Sequence, residues 1–446
     1  MSKAEDVPSL LDTQHLTPDT YSAPCTVPPV GLASRLIGKS ENRLAISECD
    51  PIYEPSIFHG CAILADDLTG ACDTGVQFID PTNSVFVASS EASLRHQKAD
   101  MIALNTNCRN DPAKTVVAKI EQCCRELVRH RLLYLKIDST LRGLPGPQIE
   151  TTLRTSGRAV ALIAPAFPQM GRRLQNGCVR RNQPKVGSNV HVPDLLTAQG
   201  LYPVSLIDEC CVRRGPDDML EAVKREVTRG SRAIVVDSAR DEDLATVVEV
   251  WLGMSSEPLL VGSAGLARQL AITDRSRRGV PKLPLALPEQ TATGSIVLVV
   301  GSNHPATLTQ LEHLAAAIPM HSFEVHDAAD PAAEAALRNG EDMLIRLRWR
   351  GGDEREKLEQ WAALFTTWPP GTLFLSGGDT AQLICELLGA TDLQLKGEVS
   401  TGISCGRLNG ELADGITVIL KSGGFGNDDA LIDIVRFLGQ KDLTET

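Results

Sequence analysis

The chain has no Cys-x-x-Cys spacing, although it holds 12 cysteines, so neither a zinc site nor a disulfide framework is indicated. Cys123-Cys124 and Cys210-Cys211 are adjacent and the rest are scattered, which fits a reducing compartment, so a cytoplasmic location is expected. None of the nine histidines forms a His-x-x-x-His pair that one helix face could offer to a metal. No apolar run approaches the roughly 20 residues that a membrane-spanning helix needs. A basic surplus is missing too. The formal net charge of −12 argues against general binding of nucleic acid or an anionic membrane, because either needs a basic surface to release counterions. An anionic substrate would therefore need a locally positive pocket. The start of the chain lacks a basic stretch followed by an apolar core, so no secretory signal is read there.

What is present suits a globular protein: 446 residues, 42% hydrophobic and 22% charged, are enough for two to three domains. Residues 1–57 are proline-rich and lean acidic, and are expected to form a partly disordered extension with a short helix over Ala33 to Ile46. From Cys61 onward, strand patterns at Cys61 to Ala65, Val85 to Val87, Met101 to Leu104, Leu132 to Ile137, Ala159 to Ala164 and Ala233 to Val236 alternate with helical ones. The helical patterns lie over Ala113 to Arg129 and around Leu244 to Trp251. Such alternation predicts a parallel sheet covered on both faces. Gly171 to Gly200 shows little periodicity and reads as a loop-rich excursion, made basic by Arg172, Arg173, Arg180 and Arg181. Pro281 to Gly294, with three prolines, reads as a linker to a second α/β domain over 295–446.

Chemistry concentrates where predicted strands end. In Ile63 to Gly75, ILADDLTGACDTG, Asp66 and Asp67 stand at a strand tip. One could accept a proton from a substrate hydroxyl or bind Mg²⁺, while the other caps the following helix. In Leu132 to Gly146, strand alternation turns Lys136 and Asp138 to one side, with Ser139 and Arg142 close by. A forked guanidinium, an ammonium and a hydrogen-bond acceptor together suit a small acid that carries hydroxyls.

Pro258 to Leu270 offers a Gly-Ser-Ala-Gly turn at a helix start, a place where backbone N–H groups can approach a phosphate. Further on, Leu373 to Leu388 carries Ser376-Gly377-Gly378-Asp379-Thr380, and Ile416 to Asp429 carries Lys421 with Gly423 and Gly424. Both are strand, small-residue turn and helix, which lets backbone N–H groups cradle phosphates while a lysine offsets their charge. Neither is a Walker loop, since no Gly-Lys-Ser/Thr follows. A dinucleotide-dependent oxidoreductase is disfavoured, because no Gly-x-Gly-x-x-Gly follows the first strand of either domain.

Taken together these stretches resemble the four-carbon acid sugar kinase family. The matching motifs are Ala65 to Gly75, Thr106 to Arg109, Lys136 to Gly143, Ala164 to Arg172, Val300 to Pro305, Gly377 to Thr380, Lys396 to Gly402 and Lys421 to Gly426, and they span nearly everything from Cys61 onward. The resemblance implies an α/β protein of two domains, each a mostly parallel sheet flanked by helices, with the active site in the cleft between them. Residues 58–280 would bind the acid sugar and 295–446 the nucleotide. It implies ATP and Mg²⁺ as cofactors, the sugar acid and ATP as partners, and room for a homodimer. The reaction implied is phosphorylation of the terminal hydroxyl of threonate, erythronate or a 3-oxo-tetronate.

On the acid side the resemblance points to Asp66, Asp67, Arg109, Lys136, Asp138, Ser139 and Arg142, with Asp66 or Asp138 taking the hydroxyl proton. On the nucleotide side it points to Ser263, Ser302, Gly377, Gly378, Asp379, Thr380, Lys421, Gly423 and Gly424; metal ligands are not assigned. The sequence departs from the family pattern after Arg172, where NGCVRRNQPKVGSNVHVPDLL replaces a glycine, an aromatic-rich turn and a later Asp-Pro. That departure motivates the alternative of a non-catalytic binding protein of the same fold.

Overall fold

A computed structural model describes residues 54–88, 99–127, 130–181, 190–282, 294–348, 354–412 and 414–439. The helix expected over Ala33 to Ile46, and nearly all of the linker over 281–294, lie outside the described residues. Strands β1 (Cys61–Ala65), β2 (Val85–Ala88), β3 (Met101–Asn105), β4 (Arg131–Lys136) and β5 (Ala161–Ala164) come first. The hairpin β6 (Arg172–Gln175) and β7 (Cys178–Arg181) follows, then β8 (Val204–Ile207), β9 (Ala233–Val236) and β10 (Leu259–Gly262). Later strands are β11 (Ile296–Val300), β12 (His321–Glu324), β13 (Met343–Arg346), β14 (Thr372–Ser376), β15 (Ala390–Ser400), β16 (Ile403–Gly410) and β17 (Thr417–Lys421).

These strands form two parallel blocks. One runs β2-β3-β1-β4-β10-β5-β9-β8 and the other β12-β13-β11-β14-β17. Runs such as CAILA in β1, LLVG in β10 and IVLVV in β11 are apolar at every position or nearly so and buried throughout, as strands covered on both faces must be. The blocks are wings of one fifteen-stranded sheet, a continuity that the sequence did not signal. The antiparallel hairpin β15–β16 joins them: β16 pairs with β17 on one side, and β15 pairs with β2 on the other, with Leu393 opposite Val87.

The segment Gly171 to Gly200 corrects the expectation of a loop-rich excursion. It contains the β6–β7 hairpin and the helix Val192–Ala198. Of the hairpin's strand residues only Leu174 is fully buried, so four-residue strands rich in arginine carry no apolar alternation to betray them.

Because each block is parallel, strand carboxyl ends gather along a rim. Those of β1, β4 and β10 deliver Asp66, Asp138 and Ser263, while those of β11, β14 and β17 deliver Ser302, Gly377 and Ser422. Among the described residues no helix is long and apolar enough to cross a membrane.

Candidate active site

The two acids at the tip of β1 divide their work. Asp67 Oδ1 accepts from Gly70 N at 2.8 Å and caps the helix Leu68–Gly75, while Asp66 turns to Arg109. Arg109 donates from Nε to Asp66 Oδ2 at 3.0 Å and from Nη2 to Oδ1 at 2.6 Å, a two-pronged grip. Its Nη1 also donates to Asp67 Oδ2 and lies 3.8 Å from Asp138 Oδ1. The guanidinium expected to hold a substrate carboxylate is thus already surrounded by three of the chain's own. Burial alone would lower its pKa, but those acids hold it well above the ordinary range.

Asp138 accepts from Thr140 N at 3.0 Å, Arg142 N at 3.3 Å, Arg142 Nη2 at 2.7 Å and the Thr140 hydroxyl. Burial would raise its pKa, but Arg109 and Arg142 outweigh burial and hold it well below the carboxylate range. Burial raises Asp66 despite Arg109, whereas for Asp67 the cations Arg109 and Lys136 outweigh burial and lower it. Lys136 stands 3.8 Å from Asp73 Oδ1. Asp73 sits in the helix after Asp67, and burial, opposed by Lys136, pushes its carboxyl up to about 7. No hydrogen bond reaches its Oδ2 among the described residues.

The opposite rim is built of glycines. Gly377 has φ +107°, a left-handed conformation that a side chain would strain, and the helix Gly378–Leu387 starts there without a side-chain cap. Its first N–H groups are therefore open to an anion. Gly423 packs so closely on Ser302 that an added Cβ would stand 2.1 Å from the hydroxyl oxygen, so the loop has no room for a larger residue. Lys421 is fully buried, and its Nζ donates to Thr307 Oγ1 at 3.2 Å and to the carbonyls of Ser422 and Gly423 at 3.3 Å. Its amino group lies beneath the loop, and burial lowers its pKa to about 7.

The rims meet. Ser422 Oγ donates to Thr69 Oγ1 at 2.9 Å, Asn110 reaches Asp379 at 3.3 Å, and a Cβ on Gly378 would stand 2.9 Å from Asp67 Oδ2. Between them opens a cleft of about 1550 Å³. It is lined by Asp67, Arg109, Lys136, Asp138, Ser139 and Arg142 from the acid side, and by Ser263, Ser302, Gly377, Gly378, Asp379, Thr380, Gly423 and Gly424 from the other residues expected on sequence. Two expected residues do not line it: Asp66 behind Arg109, and Lys421 behind the glycine loop. Ser263 lines the cleft, yet its hydroxyl caps the helix Ala264–Arg278 and donates to Ala166 O at 2.9 Å.

Sequence reasoning passed over Asp73, Thr69, Arg172 and Phe425 as site residues. Arg172 donates from Nη1 to Ser139 Oγ at 3.0 Å and lies 4.6 Å over the Phe425 ring, which meets Phe167 edge-on at 6.1 Å. Asp73 and Thr69 stood inside the quoted ILADDLTGACDTG run, so their only signal was spacing along one helix face. The partnership of Arg172 with a residue some 250 positions away had none.

Residues 61–270 match the sugar-binding N-terminal domain family and residues 355–431 the nucleotide-binding C-terminal domain family. The chain is 30% identical over 405 residues to D-threonate kinase of Cupriavidus necator, covering 83% of this chain and 95% of that one. To D-threonate kinase of Salmonella typhimurium it is 28% identical over 422 residues, covering 84% and 97%. To D-erythronate kinase of Heliobacterium modesticaldum it is 26% identical over 440 residues, covering 86% and 98%. In fold it resembles the crystal structure of Haemophilus influenzae protein HI1011, with a TM-score of 0.63 at 21% identity, covering 84% of this chain and all of that one.

Proposed function

The chain belongs to the four-carbon acid sugar kinase family, and on that footing we propose that it transfers the γ-phosphoryl group of ATP to the terminal hydroxyl of a four-carbon sugar acid. The observation that carries this reading is the meeting of the two rims. An acid-and-cation turn that suits a hydroxy acid touches, at Thr69 and Ser422, a glycine rim whose open helix N-terminus suits phosphates.

Lys136 and Arg142 hold the substrate carboxylate and hydroxyls, with Asp138 and Ser139 as hydrogen-bond partners. Arg109, which lines the cleft, orients Asp66, Asp67 and Asp138. The phosphates rest on backbone N–H groups at Gly378 and Asp379 and at Gly423 and Gly424, beside Ser302. In transfer the acceptor oxygen forms a bond to the γ-phosphorus, the bond from that phosphorus to the β,γ-bridging oxygen breaks, and its electron pair leaves with ADP. The hydroxyl proton goes to a carboxylate. Asp66 has both oxygens on Arg109 and Asp138 is held ionised by its cations, so Asp73, with a free oxygen and a pKa of about 7, is the better acceptor.

A Mg²⁺ ion fits as a companion of the phosphates rather than as a ligand of a dedicated cage, since no cluster of three potential ligands is present among the described residues. Asp379, in the first turn beside the loop, would complete its shell, and the ion would neutralise charge on the β- and γ-oxygens.

The test is ADP release with Mg-ATP against D- and L-threonate, D- and L-erythronate and their 3-oxo forms, for the parent chain and Lys136→Met. Turnover with one acid that collapses in the variant is expected. Binding of both ligands without ADP release from any of them would overturn the kinase reading in favour of a binding protein.

A further inference from the structure

Most cations of the cleft are already spoken for. Arg109 is shared by Asp66, Asp67 and Asp138, Arg142 is paired with Asp138, Lys136 stands near Asp73, and Lys421 points away beneath the loop. Arg172 and Arg181 also line the cleft, yet neither makes an ion pair among the described residues. They face each other across the β6–β7 hairpin, where like charges opposite one another destabilise the pair. An anion between the rims would relieve that repulsion.

The placement of Arg172 says which anion. One side of its guanidinium is fixed by Ser139, in the turn that follows β4 on the acid rim. Its Cζ lies 4.6 Å over the ring of Phe425, in the loop that follows β17 on the nucleotide rim, and its Nη2 is 3.3 Å from where a Cβ of Gly424 would be. A hydroxyl and a ring face orient the group without neutralising it. Burial, opposed by Asp138 and Asp73 and reinforced by the neighbouring cations Arg181 and Arg142, lowers its pKa to about 10, which leaves it protonated at neutral pH.

We propose that Arg172, backed by Arg181, is the cation that contacts the γ-phosphoryl group while it passes from ATP to the acceptor hydroxyl, a role that rests on the kinase reading above. In transfer, charge spreads over the three equatorial oxygens of the phosphoryl group, and a forked guanidinium between donor and acceptor stabilises that spread more than either ground state. The arginine that closes the Ala164 to Arg172 motif and opens the hairpin is thus a catalytic residue.

The experiment compares the parent with Arg172→Lys, Arg172→Gln and, as a control, Arg173→Gln, whose exposed side chain is not in the cleft lining. Steady-state kcat and KM are measured for ATP and the acid. Calorimetry then measures the affinity for Mg-ADP alone and for Mg-ADP with aluminium fluoride and the acid, a mimic of the transferring phosphoryl group. For Arg172→Gln, kcat is expected to fall about a thousandfold, with Arg172→Lys intermediate and both KM values changing by less than about fivefold. Mg-ADP binding should persist, while the tighter binding of the aluminium fluoride mixture is lost.

A normal kcat with a raised KM for the acid would overturn the proposal and make Arg172 a carboxylate anchor. Loss of Mg-ADP binding and of thermal stability in both variants would overturn it in favour of a structural latch on Phe425. Absence of turnover in the parent itself would bring down the kinase reading and this proposal with it, which distinguishes that failure from the other two.

Discussion

Lys421 offers a prediction whose size can be worked out. Its ammonium lies under the glycine loop with hydroxyl and carbonyl partners only, and burial brings its pKa from 10.5 to about 7. In the unfolded chain the lysine stays protonated across the neutral range, so between pH 7 and 10 the unfolded state binds more protons than the native one. Stability from this group therefore rises with pH over that window and is lost as pH falls toward 7. Integrating the proton difference from pH 7 to pH 9 gives a gain of about 2 kcal/mol. Lys421→Met keeps the side-chain length and abolishes the titration. Its stability-against-pH curve should be flatter than the parent's by about that amount, whatever constant offset the lost hydrogen bonds add. Urea unfolding of both proteins at pH 7, 8 and 9 measures the difference. Parallel curves would refute the reasoning, because they would mean that the lysine is solvated or paired. A nucleotide phosphate over the loop should also favour the protonated lysine. Mg-ADP binding near pH 8 is then expected to take up protons in the parent and not in the variant, as read by calorimetry in buffers of different ionisation enthalpy.

Arg109→Leu would leave Asp66, Asp67 and Asp138 without their shared counter-charge, and urea unfolding should show a loss of about 3–5 kcal/mol; a loss under about 1 kcal/mol would mean that water compensates them. Gly423→Ala places a Cβ 2.1 Å from Ser302 Oγ and 3.2 Å from His304 Cβ, so the loop must shift and Mg-ADP should bind about tenfold more weakly, partly recovered when Ser302→Ala is added. An unchanged affinity would show that the loop is not held against Ser302. Asp73 should make kcat rise as pH climbs through about 7, because only its ionised form accepts the proton, and Asp73→Asn should flatten the profile and lower kcat by about a hundredfold or more. A parent profile flat from pH 6 to pH 8 would remove Asp73 from that role.

The parts of the fold that were legible in the sequence are those whose signal is local. β1, β3, β9 and β11 are buried on both faces, so their apolar runs and the polar turns after them mark strand and strand end together. Pro305 marks the start of its helix because a proline suits the first turn. The union of the two wings was not legible. It depends on β15, ATDLQLKGEVS, pairing with β2 some 300 residues earlier, and β15 buries only Leu393 and Leu395, too few for a strand pattern to stand out. The β6–β7 hairpin was hidden for a related reason, since its arginines line the cleft, as Arg172 and Arg181 do, or stand partly or fully in solvent, and none enters a core.

At the site, sequence spacing identifies which charged residues stand at a strand tip, but not which of them remain available. Asp66, Asp67, Lys136 and Asp138 are where their strands suggest, because a strand end fixes position to within a residue. What a side chain does there depends on its partners, and those come from far away in sequence. Arg109 is 43 residues from Asp66, and its grip converts an exposed-looking pair of acids into a buried network with no oxygen of Asp66 to spare. Lys421 ends β17 as a phosphate-binding lysine would, yet the side of the loop on which its amino group lies is decided by Thr307, in a helix more than 100 residues earlier. The same long-range pairing leaves Arg172 without an ion pair among the described residues, since the carboxylate of the turn after β4, Asp138, is taken by Arg142 and Arg109. Charge left over after such pairing is what a cleft can direct at a ligand, and in this cleft that surplus sits on the hairpin.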